Sequence, residues 1–242
     1  MAADERIGFK IELTLCDRTI QAEVPIPNQP MRVADLLPVL LAFDDAVNGM
    51  AADKAESEGR KISCREGCGA CCRQLVPIGE AEAVYLAELV AAMPPERQAR
   101  VRERFQEELA ALGEEMVERL RDTSKFKDLA QRRELGKEYF RRGVPCPFLE
   151  DERCAIYPHR PMTCREYLVT SPAENCQKPS AETVRPVPIP IKLSQILYCF
   201  GDGIGNQSAR WIPLVLALEF AGEQRCFPAP EMFKNFVTRI SR

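Results

Sequence analysis

Along the chain, apolar and polar positions first alternate at period two and then recur at period three to four. Residues 7–16, IGFKIELTLC, alternate, Asp17-Arg18 can turn the chain, and residues 19–24, TIQAEV, alternate again. That pattern predicts a β-hairpin. Pro25, Pro27 and Pro30 are expected to end it. From Arg32 to Lys54, Leu36, Leu37, Leu40, Leu41, Phe43, Val47 and Met50 recur at helical spacing, with Pro38 in the first turns. Residues 79–93 predict a second helix, with Glu80 and Glu82 near its positive N-terminal end. Pro94-Pro95 open another helix, whose stripe of Val101, Phe105, Leu109, Leu112, Met116 and Leu120 stays on one face and reads as packing surface. A third helix is expected near residues 128–142, carrying Leu129, Leu135 and Tyr139.

Helical periodicity then stops. Residues 143–180 hold most of the remaining cysteines among Pro145, Pro147, Pro158, Pro161 and Pro172. Residues 183–193 read as an edge strand or extended connector, because proline cannot donate inside a sheet. Gly201, Gly203 and Gly205 form a turn or loop, residues 211–221 a buried helix, and residues 232–240 a short final helix. The fold class expected is α+β and mostly helical, an N-terminal β-hairpin followed by a helical body and a cysteine-rich loop region. Three parts follow: residues 1–60, residues 61–180 with a helical insertion at 79–142, and residues 181–242 packing on them.

Charge narrows the partners. The 242 residues carry a net charge of −3, which disfavours a whole-surface nucleic-acid binder or a polybasic membrane anchor. Residues 121–142 are locally basic, net +4, but their interleaved acids fit a solvated helix face. No apolar run is long enough for a membrane span. The opening residues MAADERIGFK lack the basic-then-apolar order of a signal peptide, so a cytoplasmic location is expected.

The 11 cysteines change the picture, because eight fall between Cys64 and Cys176 and four of those lie within Cys64–Cys72. Such clustering in a reducing compartment reads as metal binding before disulfides. In Cys64-x3-Cys68-x2-Cys71-Cys72, a Cys-x2-Cys turn lets two thiolates converge on one ion. Adjacent Cys71 and Cys72 are expected to diverge, so that one ligates while the other packs, binds a second metal or reaches another iron of a cluster. The second group is Cys146, Cys154, Cys164 and Cys176, in proline-rich loops that bury little apolar area by themselves. A metal joining the two groups would pin residues 73–145 as an excursion. Arg73, Arg160 and Arg165, beside these cysteines, are candidates for offsetting thiolate charge around a cofactor, with ordinary ion pairing as the alternative.

The run Cys68-Gly-Ala-Cys71-Cys72, with the later Cys146-Pro-Phe-Leu, Cys154-Ala-Ile-Tyr and Arg160-Pro161-x2-Cys164-Arg165, resembles the YkgJ-like CxxCxxCC cysteine-cluster family. The resemblance covers roughly residues 64–167 and implies zinc or iron chelation, in some descriptions an iron–sulfur cluster, with no common reaction. The first gap here holds three residues, Arg65 to Gly67, where the family name implies two.

The expected cofactor is an iron–sulfur cluster or zinc, since all-thiolate sites suit both. The spare cysteines tilt the choice slightly toward a cluster. Cys64-x3-Cys68-x2-Cys71 also matches the three-cysteine motif of radical S-adenosylmethionine enzymes, but a helix precedes it and no βα alternation follows. The function expected is therefore a metal-binding protein of unassigned reaction. The alternatives are an enzyme using the centre for redox or methyl-transfer chemistry, and a structural-zinc module that binds a partner. His159, the single histidine, reads as a turn residue and excludes zinc sites built on several histidines. Cys16, Cys199 and Cys226 are expected as small buried side chains. The partner expected is a protein or a small molecule, not nucleic acid and not a membrane.

Overall fold

In a computed structural model describing residues 5–126, 128–201, 203, 205, 209–220, 222 and 224–240, strand β1 (Arg6–Leu15) pairs antiparallel with β2 (Arg18–Pro27). Leu15 sits opposite Arg18, so Cys16 and Asp17, not Asp17-Arg18, make the two-residue turn. Both adopt left-handed backbone, φ 52° and 62°, as the favoured hairpin turn demands. Pro25 and Pro27 do not end β2 but pair with Gly8 and Arg6 inside it. The ribbon has two strands, so each carries an outer edge where a missing N–H costs nothing.

One face of the ribbon covers a helical core. Helix α1 (Val33–Ser57) buries Leu36, Leu37, Leu40, Leu41, Val47 and Met50, with Pro38 inside it. Helix α2 (Glu80–Ala91) supplies Ala81 and Val84 to this core and Ala83, Leu86 and Val90 to a second core, so it is the wall the two share. The short strands β3 (Pro30–Met31), before α1, and β4 (Pro77–Ile78), before α2, tie distant segments. They pair with residues 227–228 and 212–213 respectively.

The second core is built by α3 (Pro95–Leu112), α4 (Glu114–Arg121) and α5 (Leu129–Arg141), with Phe105 edge-to-face on Phe148 at 5.4 Å between centroids. The stripe expected as one helix is thus two, separated at Gly113, whose φ of 78° and ψ of 152° only glycine adopts readily. Asp128 caps α5 by accepting the Gln131 N–H at 2.7 Å.

The rest of the chain is short pieces: β5 (Leu149–Glu150), β6 (Arg153–Cys154), α6 (Met162–Arg165) and α7 (Leu193–Leu197). Residues 183–193 are largely extended, with one bridge from Pro186 to Val169. Residues 211–220 are buried as expected but are not one helix: β7 (Ile212–Pro213) pairs with β4, a 3-10 turn follows, and only α8 (Ala217–Phe220) is α-helical. Ala221 and parts of the 201–205 loop lie outside the described residues. Strand β8 (Phe227–Pro228) leads into α9 (Ala229–Ile240), whose Phe233 meets Phe9 of the hairpin at 5.3 Å. Among the described residues no helix is long and apolar enough to cross a membrane.

Three carboxyl groups are buried where the first core meets the cysteine loops. Asp44 is 0% exposed, Glu82 2% and Glu166 6%. Loss of water pushes all three acids up, Glu82 to about 7, and Asp44 is pushed up further by Glu166 and Asp45. Asn48 donates to Asp44 at 3.0 Å, while Asp44 Oδ1 and Asn48 Oδ1 have no hydrogen-bond partner.

Two outcomes follow from these features. A carboxyl whose folded value is raised stabilises the fold fully below its unfolded value, and that contribution is lost as pH rises through the folded value. Stability should therefore fall from about pH 5 to above pH 7 on this account. Asp44→Asn, which keeps the shape without the charge, should gain stability over the parent as pH rises, by roughly 2–5 kcal/mol at the alkaline end. Parallel melts of both proteins at several pH values check this, and a difference that does not change with pH counts against it. Gly113→Ala should cost about 1–3 kcal/mol in denaturant unfolding, because its backbone geometry is strained for any side chain.

Candidate metal centre

The first cysteine loop is a succession of tight turns. The Cys68 N–H donates to Arg65 O at 3.2 Å, Cys72 N–H to Gly69 O at 2.9 Å, and Gln74 N–H to Cys71 O at 3.1 Å. The turn that closes on the Cys72 N–H places Cys71 and Cys72 together on the wall of one cavity.

The second group is delivered to the first by backbone bonds. The Cys146 N–H donates to Cys72 O at 2.6 Å, and the Leu149 N–H to Cys146 O at 2.8 Å. Strands β5 and β6 then pair through a two-residue turn at Asp151 and Glu152, both with positive φ, which returns Cys154 alongside. This hairpin lies against Gly69 so closely that a Cβ there would come within 2.5 Å of Glu152 O. Cys164 rides on α6, and Cys176 is buried in a 3-10 turn, Ala173–Gln177. Cys64 is fixed at the far side, where its Sγ accepts the Val169 N–H at 3.3 Å.

Cys71 is the junction of the two groups. It packs in one small cluster with Cys64, Cys68 and Cys176 and lines a cavity with Cys146, Cys154 and Cys164. Cys68, Cys71, Cys72, Cys146, Cys154 and Cys164 line one cavity of about 580 Å³. Burial pushes up the thiols of Cys64, Cys146, Cys154, Cys164 and Cys176, the last to about 11. The Cys71 thiol is raised first by the neighbouring Cys72 thiol and then by burial. Charge on one thiol raises the next, so the group favours protons until a cation takes their place.

The three arginines part company. Arg73 pairs with Glu152, Nη1 at 3.1 Å, within electrostatic reach of Cys72. Arg165 is buried and fully used: Nη1 on Asp45 at 2.6 and 2.8 Å, Nη2 on Pro158 O at 2.6 Å, and Nε on Arg160 O at 2.7 Å. It therefore clamps the 158–160 turn to α1. Arg160 stacks on the Tyr157 ring at 3.7 Å, and its charge lowers the thiols of Cys64, Cys71, Cys154 and Cys164. His159 Nδ1 is 2.7 Å from the Tyr85 hydroxyl, a turn residue held by its neighbour.

Outside the cluster the expectation of burial fails. Cys16 and Cys199 are half-exposed and Cys226 is exposed, because they sit in a hairpin turn, at the end of α7 and in the loop before β8. Sequence reasoning also passed over the residues that stand with the cysteines. Tyr167 packs in the same small cluster as Cys176, and its hydroxyl accepts from Gln74 Nε2 at 3.4 Å. Its place three residues after Cys164 was the available signal. Asp44 and Asn48 sit in phase with Leu37, Leu40 and Leu41 on the apolar face of α1, which marks them as buried polar residues.

The donor set fits a thiophilic metal: free thiols from separate loops, gathered on one cavity, with one guanidinium beside them. Among the described residues no three His, Cys, Asp or Glu side chains are placed to hold a metal ion as they stand.

A family model described as "CxxCxxCC: Putative zinc- or iron-chelating domain" matches residues 63–183, half of the chain and all eight clustered cysteines. No curated protein and no solved structure matches the chain. The span begins at the residue before Cys64 and ends beyond Cys176, enclosing both cysteine loops and the helices between them, and the chain belongs to this zinc- or iron-chelating CxxCxxCC family.

Proposed function

We propose that the two cysteine loops hold an iron–sulfur cluster, with ligands drawn from Cys68, Cys71, Cys72, Cys146, Cys154 and Cys164. The observation that carries this reading is the position of Cys71, packed in one cluster with Cys64 and Cys176 and lining one cavity with Cys146, Cys154 and Cys164. A structural zinc takes four ligands, and more thiols than that face this cavity. Clusters draw cysteines from separate loops and span several sulfur positions, as this arrangement offers.

When bound, a cluster would supply one-electron chemistry at the cavity wall. The chain's own residues hold and balance it. Arg160 offsets thiolate charge, and the Val169 N–H donates to Cys64. Arg165 keeps the turn bearing Arg160 against α1. Cys64 and Cys176 support the cysteine-lined wall from behind Cys71.

Anaerobic purification followed by metal and sulfide analysis tests the reading. Iron with sulfide and a broad visible absorption is the expected result. Stoichiometric colourless zinc overturns the cluster and leaves chelation, whereas neither metal, with thiols kept reduced, overturns the site. Cys71→Ser should lose most of the metal and melt about 10 °C lower or more, since metal binding supplies folding free energy. Cys226→Ser, at an exposed thiol, should match the parent in both. Gly69→Ala should lower metal content too, because its Cβ drives the first loop off the hairpin that carries Cys154.

A further inference from the structure

The cavity at the cysteines is larger and more varied than ligation needs. Its volume of about 580 Å³ is in the range of small-molecule sites. Besides the cysteines it is lined by residues of α5, by Tyr198 and by Trp211, the chain's single tryptophan. Gly136 lines it from the interior of α5, and a Cβ built there meets nothing within 4 Å. Glycine inside a helix costs about 1 kcal/mol against alanine, so a bare position that no protein atom requires keeps room on the cavity side. Leu129, the first residue of α5, stands at the same cavity and is 61% exposed, one of two large apolar side chains so placed among the described residues.

Charge around the cavity is one-sided. Arg160 is near the cysteines, and Arg132 and the exposed Lys192 line the wall with it. Glu166, which Lys192 reaches electrostatically, is the one carboxylate among the described lining residues, and Ser194 engages it through N–H at 2.8 Å and Oγ at 2.6 Å. An apolar wall with a bare helical glycine, an aromatic side and more cations than carboxylates suits an organic anion.

We propose that this cavity binds a small organic anion with an aromatic or branched apolar body. The body rests against Leu129, Gly136 and Trp211, and the acid group turns toward Arg160 and Lys192 beside the cysteines. The inference deepens the metal-centre reading, on which the chemistry available to such a ligand rests.

The test uses the metal-loaded protein as purified, with anilinonaphthalene sulfonate as probe and its uncharged counterpart phenylnaphthylamine as control. Trp211 emission reports binding from the cavity wall itself, and metal content is read on the same samples. The sulfonate should quench Trp211 saturably at one per chain, about tenfold more tightly than the uncharged dye. Gly136→Leu, which improves helix propensity, should weaken the sulfonate about tenfold without lowering the melting temperature. Lys192→Gln, a surface change, should narrow the preference between the two dyes. Equal binding of both dyes, or sulfonate binding indifferent to Gly136→Leu and Lys192→Gln, overturns the proposal even where metal is present. Discriminating binding in protein that holds no metal upholds the cavity and overturns the centre instead.

Discussion

The Cys146 N–H donates to the Cys72 carbonyl at 2.6 Å, and through that bond two loops far apart in sequence meet backbone to backbone before any sulfur is considered. Everything the cysteines do depends on that closure. It sets Cys72 beside Cys146, starts the β5–β6 hairpin in the direction that brings Cys154 back, and leaves Cys71 between both groups. The cost is concentrated there as well. Thiols crowded out of water hold their protons, and the Arg160 charge offsets them only in part.

The buried carboxylates make the frame around that closure rigid. Glu82 accepts the Gly79 N–H at 2.8 Å and the Met162 N–H at 2.8 Å, so one side chain satisfies orphan donors at the start of α2 and of α6. Glu166 does the same for α7 through Ser194. Three helix starts are thereby fixed by acids that water would otherwise solvate, and Arg165 ties the same region to α1 through Asp45. Cys164 sits among these anchors, which is why a four-residue helix holds its place without a hydrophobic stripe of its own.

The hairpin, α1, α2, α5 and α9 were legible because each buries one face and the alternation or the three-to-four spacing records it. The split at Gly113 was not, since Leu112 and Met116 stay in phase across it and only the backbone changes. The run at 211–220 is apolar enough for a buried helix, yet Pro213 lies in a strand pair with Pro77, a partner no local pattern announces. At the site, the eight clustered cysteines and their two groups could be read directly from spacing. Which arginine faces the sulfurs could not. Arg73 and Arg165 look the same as Arg160 in sequence, and only the positions of Glu152 and Asp45 in the fold draw them away.

The neck formed by Cys72 and Cys146 also separates two design problems. Residues between them leave and return at one point, and lengthening a closed excursion adds entropy cost only logarithmically. The sulfur donors lie at or beyond the neck, whereas α5, with Leu129 and Gly136 at the cavity, belongs to the excursion. Changes confined to α5 can therefore reshape the cavity wall, whereas α2, in the same excursion, holds α6 and Cys164 through Glu82 and must be left intact.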